Sequence, residues 1–288
     1  MYIEDTPECF AAHMGEWAID PTYLAQALAA IKAGTAPMID PKAVVRDDVG
    51  YKTISNGVAA INIHGPLMKG VSKFGGTSTV LTRKAIRQAT QDDDIDTIVL
   101  HVDSPGGRVA GTMELAAEVR RAAAVKTVHA HIDDLGASAA YWSISGATTI
   151  TANQMAQVGS IGTIAVLYDS SERMEKEGIK VHVISTGAFK GSGTPGTEIT
   201  KADIAEFQKK VDEYNEFFLK GVSDGRKIPI EQVEQVADGR VYIASEARSL
   251  GLIDEIMSYE DAVNRYRTQD RGTMRSSRVA RAQLDLLR

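Results

Sequence analysis

The chain has 288 residues, 43% of them hydrophobic, which is enough to pack one large domain or two modest ones. With 32 basic against 38 acidic residues the net charge is −6, which excludes a body-wide basic field for gathering nucleic acid. A single cysteine, Cys9, excludes an intramolecular disulfide and suits a reducing compartment.

The opening MYIEDTPECF has three acids and no basic leader segment, and no later run reaches the roughly 18 apolar residues a membrane span needs. Neither export nor anchoring is expected, so the location reads as cytoplasmic. Residues 1–55 read as an appendage containing one helix, Pro21 to Lys32, with apolar Leu24, Ala25, Leu28 and Ile31. From Gly57 the pattern becomes regular. VAAINIHG predicts a strand, and Ser78 to Gln91 a helix with Val80, Leu81, Ala85 and Ile86 on one face. DTIVLHV (96–102) is a β-branched strand ending at DSPGG. A helix over about 110–124 and a strand TVHAHI (127–132) lead to GASAAYW, where a short helix begins.

TTITA reads as a strand, GSIGTIAVLYD as another behind two glycines, 170–177 as a helix ending at Gly178, and IKVHVIS (179–185) as one more strand. A long charged helix over about 200–224 and a shorter one near 230–237 come next. VYIASEARSLGLIDEI closes the pattern with strand, helix, Gly251 as C-cap and a last strand. Strands alternating with helices predict α/β layers. The stretch from Val263 carries seven arginines against Asp270 and Asp285, and it reads as an interaction or flexible tail.

Three stretches could carry chemistry. In DSPGG, Pro105 fixes a turn past a strand end, and Gly106 and Gly107 permit backbone angles that aim N–H groups at a ligand oxygen, as in an oxyanion hole; an ordinary strand-to-helix turn is the plainer alternative. Ser138 lies among small residues at a helix start, where it is either a nucleophile or a simple N-cap. A nucleophilic serine needs a base. His101, His129, His131 and His182 all sit in β-patterned runs and read as core or sheet-face imidazoles, while Asp133 and Asp134 read as turn residues. The remaining candidate is Lys190, in the glycine-rich STGAFKGSGTPGTE; a lysine serves as a base only where burial strips its charge, and otherwise it is a solvated surface residue. Tyr141 and Trp142 could line a groove but read more readily as core. No metal or cofactor is expected.

DSPGG, GASAAYW, VGSIGT (158–163), STGAFK and DGRVYIASEARSLGLIDE (238–255), in this order and spacing, resemble the signal peptide peptidase A family of Ser/Lys peptidases over about 57–258. The resemblance implies a Clp protease/crotonase-like spiral of ββα units, a peptidase domain over 56–258, and an Arg-rich tail over 259–288. It implies Ser138 as nucleophile, Lys190 as general base, Ser160 as the serine that supports the dyad, and the N–H groups of Gly107 and Ala139 as oxyanion donors. It also implies a polypeptide substrate and a homo-oligomeric ring. Membrane-bound members carry an N-terminal anchor that is not seen here. Soluble capsid-assembly (prohead) proteases of tailed bacteriophages look similar, with a short N-terminal region like 1–55 and a C-terminal scaffold-like segment. That branch implies scaffold or capsid partners in the host cytoplasm or the viral prohead, and nucleic acid only through the tail. The alternatives are a soluble bacterial peptidase for signal-peptide remnants, crotonase-type acyl-CoA chemistry, and a silent capsid or scaffold partner.

Overall fold

The computed structural model describes residues 15–36, 50–55, 57–72 and 75–265. Cys9 and most of the Arg-rich tail therefore lie outside the described residues.

Three parallel strands form the centre: β3 (Val58–His64), β6 (Thr97–Ser104) and β8 (Thr127–Ala137). Parallel neighbours need long crossovers, and helices α2 (Thr79–Gln91) and α3 (Thr112–Ala123) supply them, packing against one another on the sheet. The near-continuous apolar run in β6 follows from burial on both faces: Ile98, Val99, Leu100 and Val102 are wholly buried. In α2 the buried positions are Thr79, Thr82, Ala85, Ile86 and Ala89, so Val80, expected on the packed face, points to solvent. Ser78 caps this helix and Thr82 returns its hydroxyl to the Ser78 carbonyl.

Strand β8 is the pivot. Its first half pairs with β9 (Thr149–Ala152) and, past a register shift against β6 between Ile132 and Gly136, its second half pairs with β10 (Gln157–Gly159). Beyond β10 the sheet continues to β11 (Val241–Ile243); at the far edge β2 (Lys52–Ser55) pairs with β3, and β12 (Glu255–Ile256) pairs with β9. A second, smaller sheet has the order β1 (Trp17–Ile19), β7 (Gly106–Arg108), β4 (Leu67–Met68), β5 (Thr77–Ser78). This α/β arrangement of parallel strands and crossover helices agrees with the expected Clp/crotonase-like spiral.

Helix α1 (Pro21–Lys32) starts on Asp20, whose carboxylate accepts from the Thr22 and Tyr23 N–H groups, with Pro21 at the first helical position. Helices α4 (Ala139–Ile144) and α5 (Ser171–Lys176) are single short elements. Helix α6 (Lys201–Arg226) begins in a Thr200/Asp203 capping box with Asp203 buried, and its buried apolar positions lie at the far end, at Phe218 and Val222 beside Gly221. There it meets α4: Trp142 stacks on Phe218 with ring centroids 4.8 Å apart, and a Cβ on Gly221 would strike the Trp142 ring at 2.3 Å. Helices α7 (Ile230–Val236) and α8 (Ala244–Ser249) follow. Gly251, at φ +76°, follows α8 as the C-cap pattern predicts.

Four expectations need correction. Residues 179–185 form no strand; Ile184 is 98% exposed, and nothing described supplies the partner a β-patterned segment requires. His182 is accordingly exposed and not a sheet-face group. In 159–169 the strand β10 ends at the first glycine, Gly159, and beyond the second the described residues form only one bridge, between Ile164 and Trp17. Asp133 and Asp134 lie within β8 and not in a turn, because β8 runs on to Ala137.

Candidate active site

Ser138 occupies the single residue between β8 and α4. Its backbone has φ 53° and ψ −122°, a conformation that costs a non-glycine residue about 1–3 kcal/mol and persists only where the surroundings enforce it. The enforcement is visible. The Ser138 N–H donates to Gly159 C=O (2.7 Å), the Trp142 N–H donates to Ser138 C=O (2.8 Å), and α4 is held from behind by the Trp142–Phe218 stack and by the Tyr141 hydroxyl donating to Leu252 C=O (2.8 Å). Tyr141 and Trp142 are thus core residues, 0% and 2% exposed.

The side chain of Ser138 does not cap α4, and its Oγ is buried with no hydrogen-bond partner. A cap would have spent that hydroxyl on the helix. A strained, buried and uncommitted hydroxyl is the opposite pattern, and buried polar groups left unpaired call for a functional explanation.

The DSPGG turn lies against this elbow. Ser104 Oγ donates to Gly65 C=O (2.6 Å) and receives the Gly106 N–H (3.3 Å), which pins the turn. Gly106 has φ +92°, and a Cβ there would lie 2.9 Å from both Ala137 O and Ala139 N. A Cβ on Gly107 would lie 2.0 Å from Leu67 O. Only glycines fit, and their absence of side chains brings β7 alongside the first amide of α4. Gly107 and Ala139, the two expected donors, are both buried, and Gly106 is the residue that lies against the Ala139 amide.

Ser160 follows β10 as Ser138 follows β8, and since Gly159 pairs with Ala137 the two serines leave adjacent strands side by side. Ser160 is 3% exposed, has φ 49°, and donates its N–H to Arg240 C=O (2.7 Å). Lys190 is placed differently. It stands exposed in a run of turns over 186–197, and its amine does not reach hydrogen-bonding distance of Ser138 Oγ. Two residues on, the Ser192 hydroxyl donates to Asp203, tying this loop to the start of α6.

Sequence reading took His101 and His131 singly, as core or sheet-face imidazoles, and did not join them into the histidine cluster found toward the carboxyl ends of the parallel strands. His101 Nε2 meets Asp133 Oδ2 at 2.5 Å, His64 packs edge-on to His101 with centroids 4.9 Å apart, and Tyr259 stacks on His101 at 4.0 Å. Burial lowers the pKa of His64 and His131, and it takes His129 down to about 4, with the charge of Arg265 assisting. The signal lay in the register: His101 and His131 are paired positions of adjacent strands, visible only once HVD and HAHID are aligned. Ser104 was likewise passed over, its clamp role depending on a carbonyl 39 residues away.

Residues 120–272, just over half of the chain and including Ser138, Ser160 and Lys190, match the family described as Peptidase family S49. Among curated proteins, a candidate protease of the archaeon Methanocaldococcus jannaschii is 35% identical over 61% of this chain and 56% of its own length. Protease 4 of Haemophilus influenzae is 27% identical over 76% of this chain and 36% of its own, and Capsid assembly protease C of Escherichia phage lambda is 29% identical over 73% of this chain and 48% of its own. The chain spans roughly a third to just over half the length of these relatives. With the match covering the elbow and the segments on either side of it, the chain belongs to Peptidase family S49.

Proposed function

We propose that the chain is a serine endopeptidase working through an acyl-enzyme, with Ser138 as nucleophile. The observation that carries this is the buried, unpartnered Ser138 hydroxyl on a strained elbow beside the Gly106–Gly107 wall. Ser138 Oγ attacks a peptide carbonyl, the Gly107 and Ala139 N–H groups hold the oxyanion, and Lys190, supported by Ser160, takes the serine proton and passes it to the leaving amine. Water then releases the acyl group by the reverse proton route. Lys190 must move to perform this role, and its loop is irregular enough to do so, lacking ladder bonds across 179–199.

We read the substrate as scaffold or capsid protein during phage head assembly, supported by the lambda relative and by a head-tail preconnector protein of phage P21, 25% identical over 74% of this chain. Degradation of signal-peptide remnants is the second reading, supported by the Protease 4 relatives of Haemophilus influenzae and Salmonella typhi. Among the described residues no helix is long and apolar enough to cross a membrane, in keeping with a proposed cytoplasmic site of action. A ring of several copies would cover the exposed Val183, Ile184 and Phe189 near Lys190.

The test is labelling by a fluorophosphonate together with cleavage of an unfolded protein. Ser138 is the expected site of the adduct, and Ser138→Ala is expected to lower cleavage on the order of 10⁴-fold or more while the fold persists. Full cleavage by Ser138→Ala overturns the reading.

A further inference from the structure

The oxyanion wall already has an occupant. Strand β1 runs antiparallel to β7 with Ala18 opposite Gly107. The Asp20 N–H donates to Pro105 C=O (2.8 Å) and the Val109 N–H to Glu16 C=O (3.3 Å). Antiparallel ladders alternate bonded and non-bonded pairs, so between these two bonded pairs Ala18 and Gly107 form the third, and the Gly107 N–H is directed at the Ala18 carbonyl. The same carbonyl reaches the elbow: the point where a Gly106 Cβ would sit is 2.3 Å from Ala18 O and 2.9 Å from Ala139 N. One peptide carbonyl therefore faces the first of the two donors proposed to hold a substrate carbonyl and lies in the same corner as the second, Ala139 N, without bonding to it.

The other edge of β1 is also paired. The Trp17 N–H donates to Ile164 C=O (2.9 Å) and the Ile164 N–H to Trp17 C=O (2.8 Å). The strand is thus inserted between β7, which follows the DSPGG turn, and the segment that follows Ser160. An extended chain threaded between two edges is how polypeptides are recognised by strand addition. Its side chains are held apart from the main core, since Trp17 and Ile19 cluster with Leu24 and Leu28 and pack on Met68, Ile164 and Val166. Ala18 alone turns inward, wholly buried against the glycine wall.

We propose that Trp17–Ile19 is an intramolecular pseudosubstrate: it fills the polypeptide groove, presents the Ala18 carbonyl to the first of the oxyanion donors, and closes the site until it is displaced. This rests on the assignment of Gly107 and Ala139 as those donors. It accounts for a nucleophile that is 0% exposed. With no base within hydrogen-bonding distance of Ser138 Oγ, the strand blocks and does not react. The groove so defined takes an extended polypeptide with a small residue at the reacting carbonyl and apolar residues on either side.

The test uses the full chain with Ala18→Arg, whose side chain has no room in the buried slot, and Trp17→Ser, which weakens the apolar anchor. A tagged peptide spanning Gly15 to Pro21 is followed by fluorescence anisotropy. It is expected to bind both variants saturably and to leave the unaltered chain unbound. In both variants the fluorophosphonate adduct at Ser138 is expected to form at least about ten-fold faster, and added peptide to slow it again. Peptide binding that is equal in all three proteins, or absent from both variants while circular dichroism shows them folded, overturns the proposal. Binding to the variants without any adduct at Ser138 leaves the pseudosubstrate standing and removes the peptidase assignment instead.

Discussion

Around Ser138, backbone supplies everything: an N–H held by Gly159, a carbonyl held by Trp142, a glycine wall at van der Waals limits and a buried aromatic stack behind. Around Lys190 the chain offers turns and solvent, with side-chain ties that include Ser192 to Asp203 and the Gly196 N–H to the Ser170 hydroxyl. The difference shows how such a site divides its labour. The part proposed to stabilise a developing negative charge is preorganised by close packing, because fixed dipoles cost no reorganisation when the charge appears. The lysine proposed to carry the proton sits on a segment held by turn and side-chain bonds and not by strand pairing.

The largest effect expected from breaking this division comes from the exposed side. Lys190→Ala is expected to lower cleavage on the order of 10³-fold or more, with the melting temperature unchanged because the side chain is exposed. Near-normal activity assigns the base elsewhere. On the rigid side the signature reverses: Gly107→Ala drives a Cβ to within 2.0 Å of the Leu67 carbonyl, and the chain should lose about 3 kcal/mol or more in urea titration. An unaltered unfolding midpoint would show that β7 and β4 can part freely.

Acid sharpens the contrast further. His129 titrates at about 4 in the fold against about 6.5 unfolded, so the unfolded chain binds the extra proton first. Stability from this group is fully present above pH 6.5 and declines as pH falls toward 4, by on the order of 3 kcal/mol in all. His129→Gln should flatten that part of the stability profile, and an unchanged slope places the acid sensitivity in His64 or His131. The smallest effect tests the elbow itself. Ser138→Gly removes the nucleophile and relieves the positive φ, so the inactive protein should be more stable by about 1 kcal/mol once the entropy of glycine is subtracted.

Much of this was legible in the chain. Helix α1 fell where Pro21 and the apolar spacing put it, and β3, β6 and β9 announced themselves by β-branched runs, since these properties are local. The small residues around Ser138 and the paired glycines of DSPGG signalled a close backbone approach before any partner was known. Segment 179–185 was misread because alternation records what a strand would like to bury, and no partner is there among the described residues. Val80 was misplaced because the buried stripe runs through Thr79 and Thr82, polar positions that an apolar count leaves out.

By itself, the order of residues determined the α/β layering, the elbow serine and its glycine wall, because propensity, periodicity and the absence of a Cβ are written at single positions. Only the tertiary structure decided that Ala18, some 120 positions from Ser138, shares a corner with the elbow, that His101 meets Asp133, and that Lys190 stands apart. Strand registers and loop positions are settled by contacts distant in sequence, and no local pattern encodes which edge a free strand will join.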